Sequence, residues 1–152
     1  MSIAIGSDHA GFPLKEHLKT ELQAMGLEAR DFGTHSTDSC DYPDIAHDVS
    51  RAVAQGECES GILVCGTGIG MSITANKVTG VRAAHVSDPY SARMAREHNN
   101  ANVLCLGERV VGQGLAGDIL RAWLGASFAG GRHQRRVDKI GQVELEYRGP
   151  GR

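Results

Sequence analysis

The strongest constraint on this chain is an alternation that runs through almost all of it. Apolar runs at residues 2–6, 27–32, 61–65, 81–86 and 102–106 have the length of strands, although Glu28, Arg30 and Asp31 dilute the second. The segments between them carry apolar residues at helical spacing, and Pro13, Pro43 and Pro89 stand where helices open. Leu14, Leu18, Leu22 and Met25 mark the first helix, which Gly26 stops, and Ile45, Val49 and Val53 mark the second. A short helix is expected after the glycines that follow Cys65, reaching Lys77, and another from Asp88-Pro89, which cap and open it, to His98. A fifth runs from about Gly114 to Leu124 with Leu115, Ile119 and Trp123 on one face. Strands separated by helices pair in parallel and are covered on both faces. The expected fold is therefore α/β: a three-layer, Rossmann-like α/β/α sandwich around a five-stranded parallel sheet. The charged segment from Gly130 onward lies outside the alternation and is expected to form a C-terminal helix or arm.

A length of 152 residues favours one compact domain, expected over residues 1–148 with a frayed tail at 149–152. The net charge of −2 offers no global field to nucleic acid or to an anionic membrane, so an anion site has to be a local cluster. No apolar stretch approaches the roughly 20 residues of a membrane span, and the N-terminus reads as a strand rather than a signal peptide. Cys40, Cys58, Cys65 and Cys105 form no CxxC pair, and two of them fall in interior strands. That usage fits a reducing cytoplasm better than a disulfide framework or a zinc knuckle.

Ligands of such sheets bind outside the carboxyl ends of the strands. The residues just past those ends are Asp8-His9, Cys65 with Gly66, Thr67, Gly68, Ile69 and Gly70, the region of Ser87-Asp88, and the segment from Gly107 to Arg109. Closely spaced glycines let backbone N–H groups converge on an anion, and such dipoles favour the thiolate form of a nearby cysteine. The same segment also fits a plain turn with Cys65 as a small core residue. Asp8 and His9 suit hydroxyl, proton or phosphate handling, or else Asp8 caps a helix and His9 is solvated. Arg132, His133, Arg135 and Arg136 form a basic knot whose forks match phosphate oxygens, unless they are a solvated face. His98 ends a helix, where the macrodipole favours a cation, and Asn99 follows it. The histidines show no metal-ligand spacing such as HExxH, so no metal is expected. The CGTGIG loop lacks the Lys-Ser/Thr of a P-loop and does not follow the first strand, as a dinucleotide fingerprint would.

Five ordered blocks, SDHAGFPLK from Ser7, DYPD from Asp41, GILVCGTGIGMSITANK from Gly61, REHNNANVLCLGERVVG from Arg96 and GGRHQRRV from Gly130, resemble ribose-5-phosphate isomerases of type B. That family includes isomerases of allose and galactose 6-phosphates. The resemblance implies an aldose–ketose isomerase of the pentose phosphate pathway, with Cys65 moving the C2 proton through a cis-enediolate and His98 assisting ring opening. It implies that Asp8, His9, the residues 66–70 and Asn99 line the sugar site, with Thr67 adding a hydroxyl hydrogen bond, and that Arg109, Arg132 and Arg136 hold phosphate. Relatives without the cysteine use a glutamate just after the glycine loop, where this chain has Met71. No cofactor is required. A homodimer or dimer of dimers is implied, in which the His98–Arg109 region meets the Cys65 loop of the other subunit. Allose, galactose or tetrulose phosphates would use the same machinery. A non-catalytic phosphosugar-binding module, or a thiol-transfer enzyme without a nearby resolving cysteine, fits the residues less completely.

Overall fold

The structure, a computed structural model, describes residues 2–148; the tail expected to fray at 149–152 lies outside the described residues. In chain order the elements are β1 (Ser2–Ser7), α1 (Phe12–Ala24), β2 (Glu28–Asp31), α2 (Tyr42–Ala54), β3 (Ser60–Cys65), α3 (Ile69–Ala75), β4 (Ala83–His85), α4 (Pro89–Asn99), β5 (Val103–Gly107), α5 (Gln113–Leu124) and α6 (Arg132–Glu146). All strand pairs are parallel, in the order β2-β1-β3-β5-β4. The chain leaves β1 for one neighbour and returns on its other side as β3, so the order of winding switches between β1 and β3. A crevice opens at such a switch, at the carboxyl ends of the strands.

Alternate residues of the buried strands feed two cores. Ile3, Ile5, Ile62, Val64, Leu104 and Leu106 pack with α1, α4 and α5, whereas Ala4, Leu63, Cys65, Val103 and Cys105 pack with α2 and α3. The two edge strands are shorter than the apolar runs suggested, because only one side of each is paired. The buried stripe of α5 is Ala116, Ile119, Leu120 and Trp123; Leu115, expected on it, points outward because the stripe is rotated by one residue. Asp88 does cap α4, accepting from Ser91 N–H at 2.7 Å. The C-terminal segment is a helix, α6, with His133 as its one buried residue.

One polar cluster holds the edge of this frame. Lys15 on α1 is fully buried, and its Nζ donates to Asp31 at 2.8 Å and to Thr34 O at 2.5 Å. Burial alone raises the Asp31 pKa, but hydrogen bonds from Lys15, Lys19 and Gly33 N–H outweigh it and hold the carboxyl below its ordinary value. Asp31→Ala leaves the buried Lys15 ammonium with only the more exposed Glu16 carboxylate, 3.4 Å away, and is expected to cost about 3 kcal/mol in urea unfolding. Because the folded pKa lies below the unfolded one, this stabilisation is complete above about pH 3.9 and is lost as pH falls through the folded value.

Candidate active site

The carboxyl ends of β1, β3 and β5 bring three chemistries side by side. Ser7 pairs with Val64, and Asp8 N–H donates to Val64 O at 3.2 Å, which sets Asp8 beside Cys65. Cys65 pairs with Gly107 on the other side. Cys65 is 5% exposed and Asp8 6% exposed, so both sit at the floor of the crevice. One Asp8 oxygen accepts from Gly11 N–H at 3.0 Å, shaping the turn into α1. Asp8 therefore shapes the turn before α1 without being its N-cap, a position that Gly11 takes.

The glycine loop folds over the sulfur. Gly68 takes φ +81°, and a Cβ there would lie 2.8 Å from both His85 and the Leu106 carbonyl carbon, so neither the backbone nor the space admits another residue. This turn aims Gly68 N–H at Cys65 Sγ, 3.1 Å away. Ile69 N–H in turn donates to Thr67 Oγ1 at 3.3 Å. Two of the five N–H groups expected to face an anion are thus directed at the loop's own side chains, one of them at the thiol. Behind the site, burial, reinforced by the nearby Cys65, pushes the Cys105 thiol well up and keeps it protonated, with Ser72 hydrogen-bonded to it. Met71 is fully buried in the core between α2 and α3.

His9 is half-buried, and its Nδ1 accepts from Cys40 N–H at 3.2 Å. Accepting at Nδ1 leaves the neutral ring's proton on Nε2, as a donor to a substrate oxygen. Arg109 N–H donates to Gly66 O at 3.0 Å, and its guanidinium passes 3.3 Å from where a Gly66 Cβ would stand. Arg109 therefore belongs to the Cys65 loop of its own chain. This corrects the expectation that grouped it with His98 across an interface: Arg109 follows the carboxyl end of β5, whereas His98 precedes the amino end.

Two residues escaped the sequence reading. The Tyr42 ring stands against Gly70, where a Cβ would come within 2.6 Å of it, and so forms one wall of the site. The DYPD block contained it without marking it as anything but a helix start. Glu108 donates its N–H to Cys65 O at 2.9 Å and accepts from Leu14 N–H at 2.7 Å. The first turn of α1 is thereby tied to the segment carrying Arg109, with only the adjacent arginine as a sequence signal.

The remaining expected residues gather elsewhere. The helix α4 starts beyond the carboxyl end of β4 and ends before the amino end of β5, where Asn102 O accepts from Gly61 N–H. His98 and Asn99 thus stand at the opposite edge of the sheet from Cys65; the strand rise alone separates the two ends of residues 61–65 by about 13 Å. The His98 ring stacks on His133, with centroids 4.2 Å apart and planes within 8°. His133 lies below the ordinary histidine range because of burial first, then the positive fields of His98, Arg132 and Arg136. Arg132 and Arg136, one turn apart on α6, are exposed beside this pair. The expected residues thus fall in two separate clusters, one thiol-bearing and glycine-lined at the carboxyl edge of the sheet, the other basic at the amino edge.

Among the described residues no three His, Cys, Asp or Glu side chains converge as a metal site, and no helix is long and apolar enough to cross a membrane. All four cysteines are free.

Residues 3–140 match the family described as Ribose/Galactose Isomerase. Ribose-5-phosphate isomerase B of Escherichia coli is 53% identical over 142 residues, covering 93% of this chain and 95% of that protein. D-erythrulose-4-phosphate isomerase of Pectobacterium atrosepticum is 48% identical over 95% of each chain. The structure of Clostridium thermocellum ribose-5-phosphate isomerase B superimposes with a TM-score of 0.95 at 56% identity, over 97% of this chain and 99% of that one.

Proposed function

The chain belongs to the Ribose/Galactose Isomerase family, and we propose that it interconverts ribose 5-phosphate and ribulose 5-phosphate as an aldose–ketose isomerase. The observation that carries this reading is the Cys65 sulfur at the carboxyl end of β3, oriented by Gly68 N–H and flanked by Asp8. Ribose 5-phosphate exists as a closed furanose, so the ring must open before its carbonyl can react. His98 assists that opening by moving a proton to the ring oxygen. Cys65 as thiolate then takes the C2 proton of the aldehyde, giving a cis-enediolate, and returns it to C1 as the ketose forms. Charge passes through the C1 and C2 oxygens, where loop N–H groups, the Thr67 hydroxyl and His9 Nε2–H stabilise it, and Asp8 and Asn99 hold the sugar hydroxyls. The C2 hydroxyl proton passes to the C1 oxygen as the carbonyl moves from C1 to C2, so atoms and electrons balance within the sugar and the reaction calls for no cofactor or metal.

The two clusters support a shared site in a homodimer. Cys65 of one copy faces His98, Asn99, Arg132 and Arg136 of the second. Apolar Ile69 and Ile73, 51% and 58% exposed on α3 beside the glycine loop, supply surface for that contact. Free cysteines and phosphorylated intermediates fit a cytoplasmic enzyme. A second reading within the class, a tetrulose phosphate as substrate, is favoured by the similarity to the Pectobacterium protein. Turnover of ribose 5-phosphate in the presence of a metal chelator tests the main proposal, and kcat/KM across pentose, hexose and tetrose phosphates ranks the substrates. A protein that binds phosphosugars without converting any of them overturns it.

Arg132 and Arg136 hold the substrate phosphate in this reading. Replacing either by alanine removes a charge-assisted hydrogen bond worth about 1.5–3 kcal/mol. The inhibition constant for inorganic phosphate should accordingly rise roughly 10- to 100-fold. Unchanged inhibition returns the pair to the role of a solvated helix face.

A further inference from the structure

The end of α4 is held by more than its own helix supplies, and one side chain makes the link to the sheet. The last carbonyls of a helix lack intrahelical donors. Here Asn100 takes a left-handed conformation with φ 46°, and its N–H reaches Arg96 O at 3.1 Å. Ala101 N–H reaches Ala95 O and Ala129 N–H reaches Glu97 O, each at 3.0 Å. The carbonyls of Asn99 and Asn100 both converge on a single donor, Arg82 Nε, at 3.1 and 2.9 Å.

Arg82 is itself fixed at the amino edge of the sheet. Its N–H donates to Asn102 Oδ1 at 2.8 Å, and its carbonyl accepts from Asn102 N–H at 3.0 Å. Asn102 Nδ2 closes the bracket on Gly80 O at 2.9 Å. The guanidinium charge also meets the negative end of the α4 dipole. Without it, two carbonyls revert to water and the last turn, which carries His98 and Asn99, is free to fray.

We propose that Arg82 is a positioning residue for the isomerase reaction: it holds the end of α4 so that His98 meets the sugar ring bound at the Cys65 edge of a second copy. This rests on the ring-opening role of His98 in the function proposed above. Arg82 touches neither substrate nor reacting atoms. It acts through the two carbonyls that follow His98.

The two sugars separate this role from a merely structural one. Ribose 5-phosphate must be opened, whereas ribulose 5-phosphate cannot close a five-membered ring because its C5 oxygen carries the phosphate. Proton transfer on the ketose therefore needs Cys65 but no ring opening. The experiment compares, in wild type and Arg82→Ala, consumption of ribose 5-phosphate with deuterium incorporation at C1 of ribulose 5-phosphate in D2O. Misplacing a group by about 1 Å costs up to roughly 100-fold, so ribose 5-phosphate kcat/KM should fall about 10- to 100-fold. Deuterium incorporation needs no ring opening and loses only what Asn99 contributes to holding the sugar hydroxyls, so its loss should be at least about threefold smaller than that of ribose 5-phosphate kcat/KM. Equal losses in both measurements, or no loss in either, overturn the proposal. If the alanine variant does not fold, Arg82→Lys carries the same comparison, with a smaller loss confined to ribose 5-phosphate expected. Wild-type protein that fails to consume ribose 5-phosphate overturns the isomerase reading, and the role of Arg82 with it.

Discussion

Cys65→Ser is expected to lower isomerisation by about 100- to 10,000-fold, the span of a positioned general base, while the protein folds normally. Serine keeps an acceptor for Gly68 N–H, so the loop retains its shape, but its hydroxyl is a far weaker proton acceptor than a thiolate at neutral pH. Cys65→Ala should be equally inactive and additionally orphans Gly68 N–H, which lies 3.1 Å from the sulfur. Thermal unfolding of the serine variant should remain within about 1 kcal/mol of wild type, because no cavity is opened. Alkylation gives an independent measure: iodoacetamide should inactivate the wild type, and ribose 5-phosphate should protect it. Neither Met71, which is buried in the core, nor Cys105, which is held as the neutral thiol, can take over. Near-wild-type turnover by either variant removes Cys65 as the base.

Mixing two inactive variants should regenerate activity. Cys65→Ala and His98→Ala each lack one half of every site when assembled alone. After co-refolding, half of random dimers are mixed, and each mixed dimer holds one site with both residues intact, so about a quarter of wild-type activity returns. Sites built within one chain would remain defective in every combination. The opposite-edge placement of Cys65 and His98 motivates this result, because the sheet stands between them. Activity that stays absent despite demonstrated subunit exchange refutes the shared site and leaves the isomerase assignment standing.

Local patterns carried most of the fold. Apolar runs, helical spacing and prolines at three helix starts located the five strands and α1 to α5, because each signal acts over a few residues, whereas α6 was expected only as a helix or arm. Boundaries drifted at the edge strands, where one-sided pairing shortens a strand in a way that sequence alone does not register. The Leu115 face failed for a similar reason: helical spacing fits several stripes, and packing against α4 and α1 selects the one through Ala116 and Leu120. At the site, residues adjoining strand ends were legible by the topology rule, which is why Asp8, Cys65 and Arg109 were found together. Tyr42, Glu108 and Arg82 were not, because their roles depend on contacts with Gly70, Leu14 and Asn99 far away in sequence. Resemblance supplied roles for His98, Arg132 and Arg136, together with the expectation that the His98 region meets the Cys65 loop of another copy.

The hydrogen bond from Leu14 N–H to Glu108 has a consequence for how this fold divides its labour. Many doubly wound sheets spend the first strand-to-helix turn on anchoring a phosphate at the helix N-terminus. Here an internal carboxylate already occupies that position, which leaves the turn free to present Asp8 and His9 to the sugar in the function proposed above. In that function, anchoring falls instead to Arg132 and Arg136 on a separate helix. The reacting end and the anchored end of a substrate are then gripped by parts that can drift independently over evolution. A sugar one carbon shorter or longer would then be met by a shift of α6 relative to Arg109, with Cys65 and its loop left in place.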